Sequence, residues 1–213
     1  MLRVLLVDDH AVVREGYRSL LQGQADIQVV AEAQTSDEAY AKYQAMSPDV
    51  VVVDLSLQGS GGLQVIGRIR QFDPGARLLV FTMHLSTMFA VQAFRAGATG
   101  YVTKSSPPQM LVQAVRDVRA GRTAISPDIA SALARERTSS EGSQLDRVSP
   151  REFEILRMRL QLLSIEQISE SLHLSPKTVA NLYYQAKAKL GVQSDIELVL
   201  LALRTGLVRP LLP

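Results

Sequence analysis

The sequence predicts a doubly wound α/β domain followed by an all-helical one. Three observations carry this. Between residue 2 and about residue 120, short apolar runs alternate five times with amphipathic stretches. Four of those runs end in a charged or hydroxyl side chain: residues 4–7 before Asp8-Asp9, 50–53 before Asp54, 78–81 before Thr82, and 101–103 before Lys104. From Val148 onward no strand pattern remains, and four helix starts are legible.

The elements follow in order. Runs at 3–7, 28–31, 50–54, 77–82 and 100–103 are continuous in Val and Leu, which suits strands buried on both faces of a parallel sheet. Helical patterns occupy 10–21, 36–45, 62–72, 86–96 and 107–120, with Thr35 or Ser36 and then Glu38 capping the second. Strand then helix, repeated, gives a doubly wound domain over 1–120. Residues 121–147 predict a linker. Ser126-Pro127 opens a short helix there, and a polar, aperiodic stretch from Thr138 to Ser143 forms a tether. In the helical domain, 148–213, Ser149-Pro150-Arg151-Glu152 is a capping box, and Ser164 with Gln167 makes a second. Ser175-Pro176 and Ser194-Asp195-Ile196-Glu197 start the last two helices, which Gly191 and Gly206 end. Helices this short need one another, so they pack as a bundle.

Composition narrows the chemistry. The 213 residues are 46% hydrophobic, enough for two small cores. The absence of cysteine excludes disulfides, thiolate catalysis and zinc-cysteine sites, and fits a reducing compartment. No apolar run approaches the ~20 residues of a membrane helix. The N-terminal run meets Asp8-Asp9 too early for a secretion leader. A cytoplasmic protein without a membrane partner is expected. A formal net charge of +2 permits nucleic-acid binding without diagnosing it.

In a doubly wound sheet, ligands sit beyond the carboxyl ends of the strands, where the winding reverses. The flavodoxin-like order places strand 1 beside strand 3, gathering Asp8, Asp9 and Asp54. Carboxylates ~4 Å apart repel by roughly 4 kcal/mol at an effective dielectric of 20, so the cluster needs protons or a cation. Oxygen ligands suit a hard ion such as Mg²⁺. Thr82 and Lys104 reach the same rim, where a hydroxyl and an ammonium suit a phosphoryl group. A carboxylate can also form an acyl phosphate, and Asp54 is central to the cluster. Taken singly, Asp8 or Asp9 reads as a helix cap, Thr82 as a strand residue and Tyr101 as a half-buried aromatic. His10 reads as lining the start of the first helix, and His84 as a bystander.

With Gly62-Leu63 and with Tyr101 three residues before Lys104, these positions resemble the receiver domain of bacterial two-component response regulators. The resemblance implies that Asp54 accepts a phosphoryl group from a sensor histidine kinase. It implies that Asp9, Asp54 and the Ser56 backbone carbonyl ligate Mg²⁺, with Asp8 holding a metal-bound water. It also implies that Lys104 pairs with the phosphoryl oxygens, Thr82 moves to meet them, and Tyr101 turns inward. The family usually has proline four residues after the acceptor; here Gln58 stands in that place.

Residues 148–209 resemble the DNA-binding domain of NarL/FixJ (LuxR-type) regulators, most of all its GacA/UvrY branch. The match lies in Ser149-Pro150-Arg151-Glu152, Leu174-Ser175-Pro176-Lys177-Thr178-Val179 and Lys189-Leu190-Gly191-Val192. A helix over 164–172 crosses the DNA backbone, and one over 176–190 enters the major groove. On the latter, Val179, Leu182 or Tyr183, Ala186 and Leu190 face the core. Lys177, Asn181, Tyr184 and Lys187 face double-stranded DNA, and Ser175 and Thr178 meet phosphates. The family's lysine and histidine after Thr-Val are replaced by Ala180 and Leu182. Charges on Glu152, Glu154, Glu166 and Glu170 against Arg151, Arg157 and Arg159 leave a charge-mixed, protein-binding surface as the rival. A last helix over 195–203, apolar almost all round, predicts a homodimer, with the receiver as a second candidate contact. The prediction is a phosphorylation-switched transcription regulator. A Mg²⁺-dependent phosphohydrolase and a phospho-switched adaptor are the alternatives.

Overall fold

The computed structural model describes residues 1–57, 61–138 and 147–208. Their elements are β1 (Leu2–Val7), α1 (Ala11–Gln22), β2 (Ile27–Ala33), α2 (Ser36–Met46), β3 (Val50–Val53), α3 (Gly61–Phe72), β4 (Leu78–Thr82), α4 (Thr87–Ala96), β5 (Gly100–Thr103) and α5 (Pro108–Arg119), continuing with β6 (Ala124–Ile125), α6 (Pro127–Thr138), α7 (Pro150–Leu160), α8 (Ile165–Leu172), α9 (Pro176–Leu190) and α10 (Asp195–Arg204).

Every strand pairing is parallel, in the order β2-β1-β3-β4-β5-β6. Side chains alternate between the two faces with the period of a strand. Leu5, Val7, Val51, Val53, Leu78 and Val80 join Ile66 of α3 and Phe89 of α4. Val4, Leu6, Val50, Val52, Leu79 and Phe81 join Leu21 of α1 and Leu111 of α5. Both faces are covered, which is why these runs read as continuously apolar.

The sheet has one strand more than the sequence predicted. Residues 124–125 lie in the expected linker but pair with Gly100 and Tyr101. Two residues are too few to show a period. Beyond them, Asp128 accepts a hydrogen bond from the Thr103 hydroxyl at 2.7 Å, so the start of α6 is stitched to the sheet. The tether expected from Thr138 lies, after that residue, outside the described residues, as does Gln58.

The helical starts are capped as their sequences required. Thr35 accepts from the Glu38 amide, and Ser149/Glu152 and Ser164/Gln167 form reciprocal boxes. Ser175 accepts from the Thr178 amide and Ser194 from the Glu197 amide. Gly191 closes α9 at φ 67°, a left-handed conformation that favours glycine. In the core of this bundle Tyr183, rather than Leu182, takes the buried place beside Val179, Ala186 and Leu190.

The two domains share one apolar cluster, which runs from the α3/α4 face of the sheet into α7 through Phe89 and Phe153. Glu152, Glu154 and Arg157 are buried and so are lost to the charge-mixed surface that the sequence allowed, whereas Glu166 and Glu170 stay exposed. Glu152 pairs with Lys189 of α9, and Glu154 pairs with Arg157. These partners are set by tertiary packing and leave no periodic trace. α10 buries only Leu198 and Ala202, leaving Ile196, Val199, Leu200 and Leu203 at 74%, 44%, 53% and 39% exposure. Among the described residues no helix is long and apolar enough to cross a membrane.

Candidate functional site

The carboxyl ends of β1, β3, β4 and β5 open on one edge, because all four strands run the same way. Asp8 follows β1 and Asp54 follows β3 as immediate neighbours. Lys104, one residue past β5, spans the gap. Its Nζ donates to Asp8 Oδ2 at 2.6 Å and to Asp54 Oδ2 at 2.7 Å. Burial works against the ammonium, but attraction to Asp54 and its hydrogen bonds to both acids outweigh it, so its pKa is raised. Three carboxylates against one ammonium still leave the rim net acidic.

The other acceptors are fixed by backbone. Asp54 Oδ1 accepts from the Ser56 amide at 3.1 Å, and Asp8 Oδ1 from the His10 amide at 2.8 Å. Asp9 lies beside Asp8, with His10 Nδ1 2.8 Å from its Oδ1. Asp8, Asp9 and His10 each bring a possible ligand atom within 4.8 Å of the others. Asp8 and Asp9 supply the hard oxygen donors that Mg²⁺ prefers, so this acidic cluster fits that ion.

Thr82 ends β4 fully buried, and its hydroxyl accepts from the His84 amide at 3.4 Å. Tyr101 points inward and is fully buried, donating to the His84 carbonyl at 2.9 Å. Burial, and then the negative charges of Asp54 and Asp128, raise the Tyr101 pKa far above the usual phenol range. The inward position implied for a phosphorylated state is therefore already occupied in this structure.

In the helical domain, α8 and α9 make the helix-turn-helix, with His173 at φ 52° in the turn. Ser175, Lys177, Thr178, Asn181 and Tyr184 are all exposed on one side of the first three turns of α9. Lys187 is not on that surface. It is 7% exposed, and its Nζ donates to Asp195 Oδ1 at 2.7 Å. The helical period placed its Cα toward the groove, but a four-carbon stem reaches across and lies over the start of α10. Tyr183 shares Asp195, and its pKa is pushed up to about 12, first by burial and then by that hydrogen bond.

Comparison with known proteins agrees with both halves. Residues 4–116 match the response regulator receiver domain, and residues 146–202 match the luxR family of bacterial regulatory proteins. The chain is a LuxR-type response regulator. UvrY from Escherichia coli O157:H7 is 37% identical to it over 209 residues, covering 97% of this chain and 96% of UvrY. GacA from Pseudomonas viridiflava is 38% identical over 210 residues, covering 98% of each. Among solved structures, RcsB from Salmonella enterica bound to a promoter is 26% identical with a TM-score of 0.74, covering 93% of this chain and 96% of RcsB. The regulator is thus a two-component protein with a LuxR-type DNA-binding domain, built to accept a phosphoryl group rather than to turn over a substrate.

Sequence reasoning about this regulator missed two histidines. His10 was read as lining the start of α1, and it does so as the cap residue, but its ring also lies against Asp9. His84 was read as a bystander, yet its ring, its amide and its carbonyl contact Ser56, Thr82 and Tyr101. Its place two residues after Thr82, at the sheet edge, was the one signal available. The reason for Gly62 lies in tertiary packing. A Cβ there would overlap the Asp54 carbonyl oxygen and lie 2.8 Å from Leu55 Cα.

Proposed function

We propose that the regulator takes a phosphoryl group onto Asp54 from a phosphohistidine of a sensor histidine kinase, in the cytoplasm, and so controls its engagement of double-stranded DNA as a homodimer. The observation that carries this is the Lys104 ammonium held between Asp54 and Asp8 at the sheet edge. In the transfer, an Asp54 oxygen forms the O–P bond as the N–P bond breaks and the leaving imidazole keeps its proton. Lys104 offsets charge on the equatorial oxygens, and the Thr82 hydroxyl moves to donate to one of them. Mg²⁺, held by Asp9, Asp54 and the Ser56 carbonyl, with Asp8 acting through water, would neutralise the remaining charge.

At the output end, Asn181 suits bidentate reading of adenine, while Ser175, Lys177 and Thr178 suit phosphates. Tyr184 lies beside them. Lys187 is committed to Asp195, so the proposal places no DNA contact on it. The apolar side of α10 supports pairing with a second copy, and the related RcsB has been solved as dimers on DNA.

The test is binding of genomic fragments by the full chain, with and without acetyl phosphate and Mg²⁺, across a salt series. Specific binding should weaken steeply with salt. Asn181→Ala should cost about 1–3 kcal/mol and relax selectivity at one base pair, whereas Lys177→Ala should weaken all sequences alike and lower the salt slope by about one. Fragments bound without salt dependence, or insensitive to both substitutions, would place the DNA interface elsewhere.

A further inference from the structure

We infer that Phe153, in the DNA-binding domain, is a positioning residue for phosphoryl uptake in the receiver; this deepens the Asp54 reading and rests on it. The connection runs through His84. Its Nε2 is 3.3 Å from the Ser56 hydroxyl, two residues past the acceptor. Its carbonyl accepts the Tyr101 hydroxyl at 2.9 Å, and its amide faces the Thr82 hydroxyl at 3.4 Å. One residue thus touches three parts of the phosphoacceptor rim.

What holds the His84 ring is aromatic. It stacks on Phe89 of α4, with centroids 3.8 Å apart and planes 13° from parallel. Phe89 in turn meets Phe153 of α7 edge to face, at 5.2 Å and 89°. Phe89 and Phe153 are both fully buried, so each fixes the other. A cavity of about 260 Å³, lined by Ser56, His84, Phe89 and Arg157 among others, opens beside this stack. The cavity leaves the loop room to move on that side, and the stack restrains the ring together with its contacts to Ser56, Thr82 and Tyr101.

The docking that brings Phe153 here is secured around it. Gln92 Nε2 and Arg95 Nη1 both donate to the Val148 carbonyl, at 3.0 and 3.2 Å. The Ser86 hydroxyl donates to the Thr205 carbonyl at 3.3 Å. The Glu154–Arg157 pair lies directly on Gly61, where a Cβ would strike Glu154 Oε1 and sit 2.9 Å from Arg157 Nη2. Gly61 itself has φ 67°. The start of α3, which follows the acceptor loop, therefore also rests on the DNA-binding domain.

The sign follows from preorganisation. Docked, the rim is assembled: Lys104 on Asp54, Ser56 on Asp54, and Tyr101 on His84. Removing Phe153 frees Phe89 and His84 and loosens that rim, which slows a reaction that depends on positioning. The exposed face of α9 stays open while docked, so this coupling does not shield the recognition helix.

The test uses the full chain with Phe153→Leu and Phe153→Ala. Uptake on Asp54 from acetyl phosphate with Mg²⁺ is followed alongside ¹⁹F spectra of fluorotyrosine-labelled protein, with the Tyr101 signal assigned from Tyr101→Phe. Phe153→Leu should slow uptake about five-fold, Phe153→Ala more, and both should move the Tyr101 signal. Unchanged rates with an unmoved Tyr101 signal in both variants would overturn the inference. Should Phe153→Ala unfold the helical domain, docking is lost by that route, and the same two readouts still decide. A wild-type chain that takes up nothing would sink the Asp54 reading instead, and the Tyr101 signal would still report whether Phe153 reaches the rim.

Discussion

Asp54→Ala in the full-length regulator will take up no phosphoryl group from acetyl phosphate and Mg²⁺, while the chain stays folded. The loss is complete because no other acid offers the same oxygen. Asp8 has one oxygen on Lys104 and the other on the His10 amide, and Asp9 lies against the His10 ring. What sets Asp54 apart is its place: it follows β3, the strand between β1 and β4, so its carboxylate, held by Lys104 and the Ser56 amide, lies between the Asp8 and Thr82 ends of the edge, where the ammonium offsets the incoming charge. Folding survives because Lys104 keeps Asp8 as partner, and the variant loses one like-charge repulsion as it loses one attraction. A stability change of about 1 kcal/mol or less in either direction is expected from thermal unfolding. Uptake by the variant at the wild-type level would mean that the acceptor is another residue.

The second large effect is at a residue with no side chain. Gly62→Ala should destabilise the receiver by about 2–4 kcal/mol and slow uptake sharply. The new methyl would overlap the Asp54 carbonyl oxygen and press on Leu55 Cα, and both are backbone atoms that cannot rotate away. Gly62 also donates its amide to the Leu55 carbonyl at 3.3 Å, so α3 and the acceptor strand cannot separate without losing that bond. Displacement would therefore fall on the Asp54 backbone itself. The contrast lies five residues on in the same helix. A Cβ at Gly67 meets nothing within 4 Å, so Gly67→Ala should stabilise by about 0.5–1 kcal/mol. Equal melting temperatures for the two variants would show that the close approach at Gly62 is not real.

The strand ends were legible because an apolar run that stops at Asp8, Asp54, Thr82 or Lys104 marks both the strand and the edge. The capped helices were legible because Ser149 with Glu152 and Ser194 with Glu197 are local devices, complete within four residues. What stayed hidden depends on distance in the chain. Leu182 and Tyr183 are adjacent, and only the bundle decides which of them enters it. Lys187 has the right period for the groove but a stem long enough to find Asp195. Glu152 and Arg157 read as surface charges because Lys189 and the docked receiver, their reasons for being inside, are not neighbours in sequence. His84 looked idle until Phe89 and Phe153 closed over it.

The most direct measurement locates the phosphoryl group itself. Wild-type regulator is treated with acetyl phosphate and Mg²⁺, reduced with borohydride to convert any acyl phosphate to an alcohol, digested, and read by tandem mass spectrometry. Modification at Asp54 alone is the predicted result. Modification at Asp8 or Asp9, or none at any acid of the rim, would contradict the account.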